Sequence, residues 1–137
     1  MTPITERAQK VFEALVFGLS PAESRTVDTE AGTFMAVQVE RLTDARFAIA
    51  HYFEQGGDLV PDPDMEFWRG PDGRIYPVAV QFATGHYGLA MAFPKEGPAV
   101  YEAEQKDQAR FASFWLANIR AQQRTFFESK PAKAAAS

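Results

Sequence analysis

The chain contains no cysteine, which excludes disulfide bonds, thiol catalysis and cysteine-based zinc sites. It has no apolar run near the roughly 18 residues that a membrane-spanning helix needs, and residues 1–10 lack the apolar stretch of a secretory signal. Basic residues are fewer than acidic ones, and the formal charge of −4 argues against a general nucleic-acid binder. We therefore expect a cytoplasmic protein that has no membrane segment and does not bind nucleic acid.

What the chain does contain is enough apolar material for one core. Its 137 residues, 46% of them hydrophobic, suit one globular domain rather than a disordered chain. The last ten residues are small or polar. We expect a single α+β domain over residues 1–127 and a disordered tail over residues 128–137.

Two amphipathic helices are predicted near the ends of the chain. Thr2 followed by Pro3 is typical of a helix start, and apolar residues then recur at helical spacing, which predicts a helix over residues 3–17. Prolines break the pattern over residues 94–98, and a second helix is predicted over residues 99–127. Its core-facing stripe comprises Gln108, Phe111, Trp115, Ile119, Gln122 and Phe126, with Phe114 and Leu116 at the borders.

Between the helices, alternating apolar and polar residues predict five strands, over residues 34–42, 46–53, 65–68, 74–83 and 87–93. Residues 20–32 and 54–63 are predicted as loops. Consecutive antiparallel strands usually neighbour each other, so we expect a five-stranded meander with the long C-terminal helix on one face. Pro77 cannot donate to a ladder, which places its strand at an edge or turns that amide away from its neighbour.

The most distinctive segment spans residues 51–68, which carry no Lys or Arg. It holds His51 and five carboxylates: Glu54, Asp58, Asp62, Asp64 and Glu66. The simplest interpretation is an exposed acidic loop whose Asp side chains bond nearby backbone amides. The alternative is a hard cation held where Asp58, Asp62 and Asp64 converge, although the spacing does not match an EF-hand loop. We predict no metal site and no cofactor.

The same segment reads H-Y-x-E-Q-x-G-D-x-x-x-D-P-x-M-x-F from His51 to Phe67. It resembles a family of small uncharacterised proteins from bacterial plasmids, phages and integrated elements, which has Asn-Gly in place of Gly56-Gly57. The resemblance extends over about residues 34–125 and includes Phe111, Trp115 and Asn118. That family has no assigned activity, so the resemblance implies a mobile-element context and identifies no catalytic residue.

Other candidate residues each have a structural interpretation as well. His51 shares a strand face with Phe47 and Ile49, which is typical of a half-buried histidine with one bonded nitrogen. The aromatic residues Trp68, Tyr76 and Tyr87 either dock a partner or belong to a core. The only cationic cluster consists of Arg110, Arg120, Arg124, Lys130 and Lys133, which a solvated helix face explains.

These observations favour a non-enzymatic accessory protein that binds a protein partner through the acidic loop and the adjacent sheet surface. The predicted partner-binding residues are Glu54, Asp58, Asp62, Asp64 and Trp68. The alternative is a small metal-dependent or acid/base hydrolase centred on His51, Glu54 and Asp58. A homodimer formed through a free sheet edge is compatible with either function.

Overall fold

A computed structural model describes residues 1–28 and 35–129, except for the side chain of Glu54. In chain order, one helix precedes the strands and two follow them. The helices are α1 (Glu6–Val16), α2 (Glu102–Gln122) and the short α3 (Arg124–Glu128). The strands are β1 (Ser24–Val27), β2 (Val37–Arg41), β3 (Arg46–Gln55), β4 (Asp58–Arg69), β5 (Ile75–Gln81), β6 (Tyr87–Leu89), β7 (Met91–Ala92) and β8 (Ala99–Val100). The described residues therefore form the α+β fold that was predicted.

Helix α1 begins at Glu6 rather than near Pro3. Ile4 N donates to the Ile75 carbonyl at 2.9 Å, which ties the leading segment to β5 before the helix starts. Thr5 is the N-cap, and its Oγ1 accepts from Ala8 N at 3.1 Å. The start was placed too early because a tertiary hydrogen bond overrides the local Thr-Pro signal.

Six strands form one antiparallel sheet in the described part of the chain, in the order β1-β2-β3-β4-β5-β6. The meander was predicted correctly, but with one strand too few. The additional strand, β1, has a single buried side chain, Val27, so its sequence shows no clear alternation. Residues 29–34, which include part of the predicted loop and Phe34, lie outside the described residues.

The predicted acidic loop over residues 54–63 is wrong, because these residues belong to the long hairpin of β3 and β4. Its turn is formed by Gly56 and Gly57, whose φ angles of 59° and 88° lie where glycine is favoured. Gln55 and Asp58 pair on either side of the turn. The predicted short strand over residues 65–68 is the last part of β4.

Two prolines in β4 made the loop prediction attractive, since proline cannot donate to a ladder. The strand accommodates them through a register shift between Ala50 and Tyr52 of β3. Across that shift Asp62 and Pro63, which are joined by a cis peptide bond, both oppose the single residue His51. A bulge of this kind keeps β4 in the sheet and reverses which of its residues face each side.

Pro77 lies in β5, an inner strand between β4 and β6, so the edge alternative is wrong. The ladder between β4 and β5 shifts register beside it: Phe67 pairs with Pro77, whereas Glu66 pairs with Ala79. This irregularity accounts for the missing donor. The predicted strand over residues 87–93 divides into β6 and β7, and β7 pairs with β8 in a separate ribbon.

The second predicted helix starts later than expected and is interrupted near its end. Residues 99 and 100 form β8, and Tyr101 is the N-cap of α2. Gln123 separates α2 from α3, with φ −103° and ψ 43°. Its side chain is buried, and Nε2 donates to the Met35 carbonyl at 2.9 Å, a long-range bond that the helical pattern does not reveal. Phe114 is 69% exposed and does not border the core.

Helices α1 and α2 pack on one face of the sheet, here called the inner face. The ring of Phe12 meets the rings of Phe47 and Phe67 edge to face, at centroid distances of 5.2 and 5.4 Å. The opposite, outer face carries a smaller cluster in which Tyr76 and Val78 pack with Met91 of the β7–β8 ribbon. Among the described residues, no helix has the length and apolar character needed to cross a membrane.

Candidate functional site

A depression of about 240 Å³ opens on the outer face of the sheet, away from the β7–β8 ribbon. We call it the acidic depression. It is lined by Ser24 of β1, Gln38 and Glu40 of β2, Ala48, Ala50 and Tyr52 of β3, and Leu59 and Asp64 of β4. Four neighbouring strands therefore contribute to one concave surface.

Strand alternation produces this surface directly. Val37 and Val39 point into the core and are fully buried, so Gln38 and Glu40 between them face outward. On the neighbouring strand, the outward residues Ala48 and Ala50 pair with Glu40 and Gln38. The alanine methyl groups form a low floor, and the longer side chains on the strands beside it form the walls.

Two carboxylates face each other across this floor. Ala48 pairs with Glu40 on one side, and Ala50 pairs with Asp64 on the other. The strands that carry Glu40 and Asp64 are separated by β3 and so lie about 10 Å apart. Within the described ranges, neither carboxylate has an ion-pair or hydrogen-bond partner.

The surroundings of Asp64 favour its protonated form. Burial raises the pKa of Asp64, and the negative charge of Glu40 raises it further. Arg46, on the same face, does not relieve this, since it forms an ion pair with Glu66 and its guanidinium lies 4.3 Å from the ring centroid of Phe93. A cation bound in the depression would offset both the desolvation cost of the Asp64 carboxylate and its repulsion by Glu40.

Four of the five predicted partner-binding residues are spread along β4 rather than gathered in a loop, and the fifth, Glu54, belongs to β3. Asp58 is exposed beside the hairpin turn, and Asp62 Oδ1 accepts from Ala83 N at 3.0 Å. Asp64 lines the acidic depression, and Trp68 lies near the other end of the strand. Asp58 and Trp68 are ten residues apart in β4, which corresponds to roughly 30 Å. The side chain of Glu54 lies outside the described residues.

The aromatic candidates divide between packing and exposure. Trp68 is half-buried, and its ring packs against Tyr76 and Phe93 at centroid distances of 5.8 and 5.6 Å. Tyr76 is only 4% exposed, and its hydroxyl donates to Asp72 Oδ2 at 2.5 Å. Tyr87 is 55% exposed at the β6 edge. Trp68 and Tyr76 therefore pack within the outer cluster, whereas the Tyr87 side chain is exposed to solvent.

The residues of the alternative hydrolase are not brought together in the described structure. His51 is half-buried, and its Nδ1 accepts from Trp115 Nε1 at 3.4 Å, as a structural histidine would. Burial lowers the pKa of His51, and a contact with the Met35 carbonyl partly opposes this. Asp58 pairs with Gln55, four residues beyond His51, so it lies about 13 Å along the strand.

Metal ligands do not cluster either: no group of three or more His, Asp or Glu side chains with metal-binding geometry occurs in the described ranges. The cation interpretation of Asp58, Asp62 and Asp64 therefore gains no geometric support. Two carboxylates without a third ligand suit an ammonium or guanidinium group better than a bound Ca²⁺ or Mg²⁺, which takes more oxygen ligands.

Sequence reasoning identified Asp64 but missed the rest of the acidic depression. Gln38 and Glu40 alternate in sequence with the core residues Val37 and Val39, and this alternation alone is enough to place both side chains on the outer face. The overlooked signal is the pair Ala48 and Ala50, two small residues at outward positions of an inner strand. Small outward residues between longer ones indicate a concavity when neighbouring strands are in register.

A family model described as a domain of unknown function (DUF6908) matches residues 8–125. The chain therefore belongs to this family. No curated protein and no solved structure matches it. The match agrees with the predicted resemblance to a family without an assigned activity, while the mobile-element origin and the pattern from His51 to Phe67 stay predictions.

Proposed function

We propose that this member of the DUF6908 family is a non-enzymatic accessory protein of a mobile genetic element. It acts in the cytoplasm and binds a protein partner through the outer face of its sheet. The mobile-element origin depends on the sequence resemblance. The binding surface is supported by one observation above the others: Glu40 and Asp64 share an open depression without a cationic partner in the described structure.

The chemistry of the depression fits a lysine or arginine side chain of the partner. The methylene stem of such a side chain can lie over Ala48 and Ala50, with the charged head between Glu40 and Asp64. Tyr52, also in the lining, supplies a hydroxyl that can accept a hydrogen bond. Charge-assisted hydrogen bonds of this kind are stronger than neutral ones, so one cationic residue would anchor the complex.

The rest of the interface has to come from surface around the depression, since a stable interface buries about 800 Å² on each partner. Leu59, at its rim, is 67% exposed and offers an apolar contact. The neighbouring hairpin tip adds Asp58. An apolar contact beside a charged anchor is typical of the centre of an interface.

Affinity capture with a matched pair of variants tests the proposal. The wild-type chain, immobilised and exposed to a lysate of the bacterium that carries its gene, is expected to retain a partner at moderate salt. The variant that combines Glu40→Gln with Asp64→Asn should not retain the partner, because both anchoring charges are removed while the side chains keep nearly the same shape. Asp107→Asn combined with Glu96→Gln removes the same charge from exposed positions outside the depression and should retain it.

The proposal is contradicted if the double variant in the depression captures the same proteins as the wild type. Asp58→Asn serves as a second test. If this single variant loses the partner, the main contact lies at the hairpin tip rather than in the acidic depression. Self-association is tested separately, because β1 and β6 are the edges of the six-stranded sheet. Light scattering after size exclusion would detect a dimer.

A further inference from the structure

We propose that a second depression, on the helical side of the molecule, binds a phosphate group. We call it the arginine depression. It has a volume of about 290 Å³ and receives one arginine from each helix: Arg7 from α1, Arg120 from α2 and Arg124 from α3. It lies on the opposite side of the sheet from the acidic depression and is independent of the proposed function.

The positive charge of this depression is not balanced within the described structure. Its one carboxylate, Glu128, accepts from Arg124 at 3.2 Å. Arg7 and Arg120 have no ion pair or hydrogen bond with other side chains in the described ranges. Three cations beside one anion leave an excess of positive charge, which an anionic ligand would neutralise.

The position of Arg7 is unfavourable for its own helix. It is the second residue of α1, where the positive end of the helix dipole disfavours a cation. Arg120 differs, because it lies in the last turn of α2, where a cation is favoured. Helix stability therefore explains Arg120 and not Arg7, and residues that oppose local preference are expected where a site needs them.

The shape of the depression suits a small oxyanion. Ala117 and Ala121 line it with methyl groups, which lets a ligand approach the helix closely. The exposed Arg120 guanidinium lies 5.9 Å from the ring centroid of Phe127, within the range of a cation–π contact. Guanidinium groups bind phosphate through paired hydrogen bonds, and several of them match the oxygens of a phosphoryl group better than the two of a carboxylate. The volume of the depression lies just below the roughly 300–1,000 Å³ of small-molecule sites.

Nuclear magnetic resonance of the arginine side chains tests this inference on the full chain. Pyrophosphate, inorganic phosphate and adenosine monophosphate are titrated separately at constant ionic strength, and the Nε–Hε signals of Arg7, Arg120 and Arg124 are followed. We expect saturable shifts at these three signals. If adenosine monophosphate binds more tightly than inorganic phosphate, the site recognises a nucleotide. If the two bind equally, the site recognises the phosphate group alone.

Variants separate a built site from general attraction to arginine. Arg7→Gln combined with Arg120→Gln should weaken pyrophosphate binding about tenfold or more. Arg110→Gln removes a charge from the same helix, ten residues from Arg120, and should change binding less than about twofold. Arg7→Lys combined with Arg120→Lys keeps the charge without the paired donors and should give intermediate affinity. An unchanged melting temperature confirms that the variants fold.

Two results would overturn the inference. Shifts that grow linearly with ligand and are equal at Arg110 and Arg120 would show non-specific attraction. Unchanged affinity in the Arg7→Gln, Arg120→Gln variant would show that the anion binds elsewhere.

Discussion

Replacing Asp64 with Asn should make the protein more stable at neutral pH. The carboxylate is half-buried, has no partner within the described ranges and faces Glu40 across the alanine floor. Two unit charges about 10 Å apart repel by about 0.4 kcal/mol in bulk water and by about 1.7 kcal/mol at an effective dielectric of about 20. We expect the free energy of unfolding to rise by at least the repulsion that is removed. The rise should also include the cost of burying the charged Asp64 carboxylate, which the Asn variant does not have.

The pH dependence of this gain follows from the raised pKa of Asp64. Between about 3.9, the ordinary value, and the raised value, the folded protein binds more protons than the unfolded chain. Wild-type stability therefore falls as pH rises through that window. The Asn variant lacks this fall, so its advantage should be present at about pH 7 and absent at about pH 3.

Urea denaturation of the wild type, Asp64→Asn, Glu40→Gln and the double variant measures the effect and its cause. Each single change removes the whole repulsion, so the double variant should gain less than the sum of the two by about 0.4–1.7 kcal/mol. The reasoning is refuted if Asp64→Asn destabilises the protein at neutral pH, because Asp64 would then make a stabilising contact. If the stability changes of the two single variants add up to that of the double variant, the two carboxylates do not interact.

Three further predictions concern the core, a half-buried ion pair and divalent cations. Trp115→Ala should lower the free energy of unfolding by about 3–5 kcal/mol in urea denaturation, since the side chain is 5% exposed and stacks on Phe111; an unchanged midpoint would contradict the packing. Glu13→Gln should cost about 2 kcal/mol in the same assay, because Arg69 donates to both carboxylate oxygens, at 2.5 and 2.7 Å; a neutral result would show that the pair is solvated. Mg²⁺, Mn²⁺, Ca²⁺ and Zn²⁺ should leave the melting temperature unchanged, because three acidic or histidine ligands converge nowhere in the described ranges; a saturable increase would restore the hydrolase alternative.

The helices and most strands could be predicted because burial has a regular period in them. Val37 and Val39 alternate with polar residues, and the core stripe of α2 includes Trp115 and Ile119, both buried. What could not be predicted depends on contacts distant in sequence. The prolines of β4 indicated a loop, yet a bulge opposite His51 keeps them in the sheet. The break at Gln123 coincides with a hydrogen bond from its side chain to the Met35 carbonyl, which is distant in sequence.

The acidic depression was only partly predictable for a related reason. The alternation of β2 is enough to place Glu40 on the outer face, and Asp64 was among the predicted partner-binding residues. The proximity of Glu40 and Asp64 depends on the register of three strands. Their exposure depends on the β7–β8 ribbon, which packs against the outer face at Tyr76 and does not line the acidic depression. Register and coverage are tertiary properties, so no local pattern contains them.

Site-specific photo-crosslinking tests the central claim most directly. Leu59 and Phe114 are exposed to a similar extent, 67% and 69%, but only Leu59 borders the acidic depression. A benzoylphenylalanine at position 59 is expected to crosslink, in living cells, to a partner segment that contains a lysine or arginine, and the crosslink should disappear when Glu40→Gln and Asp64→Asn are added. A crosslink that forms at position 114 instead, or that survives at position 59 without the two charges, would contradict the account.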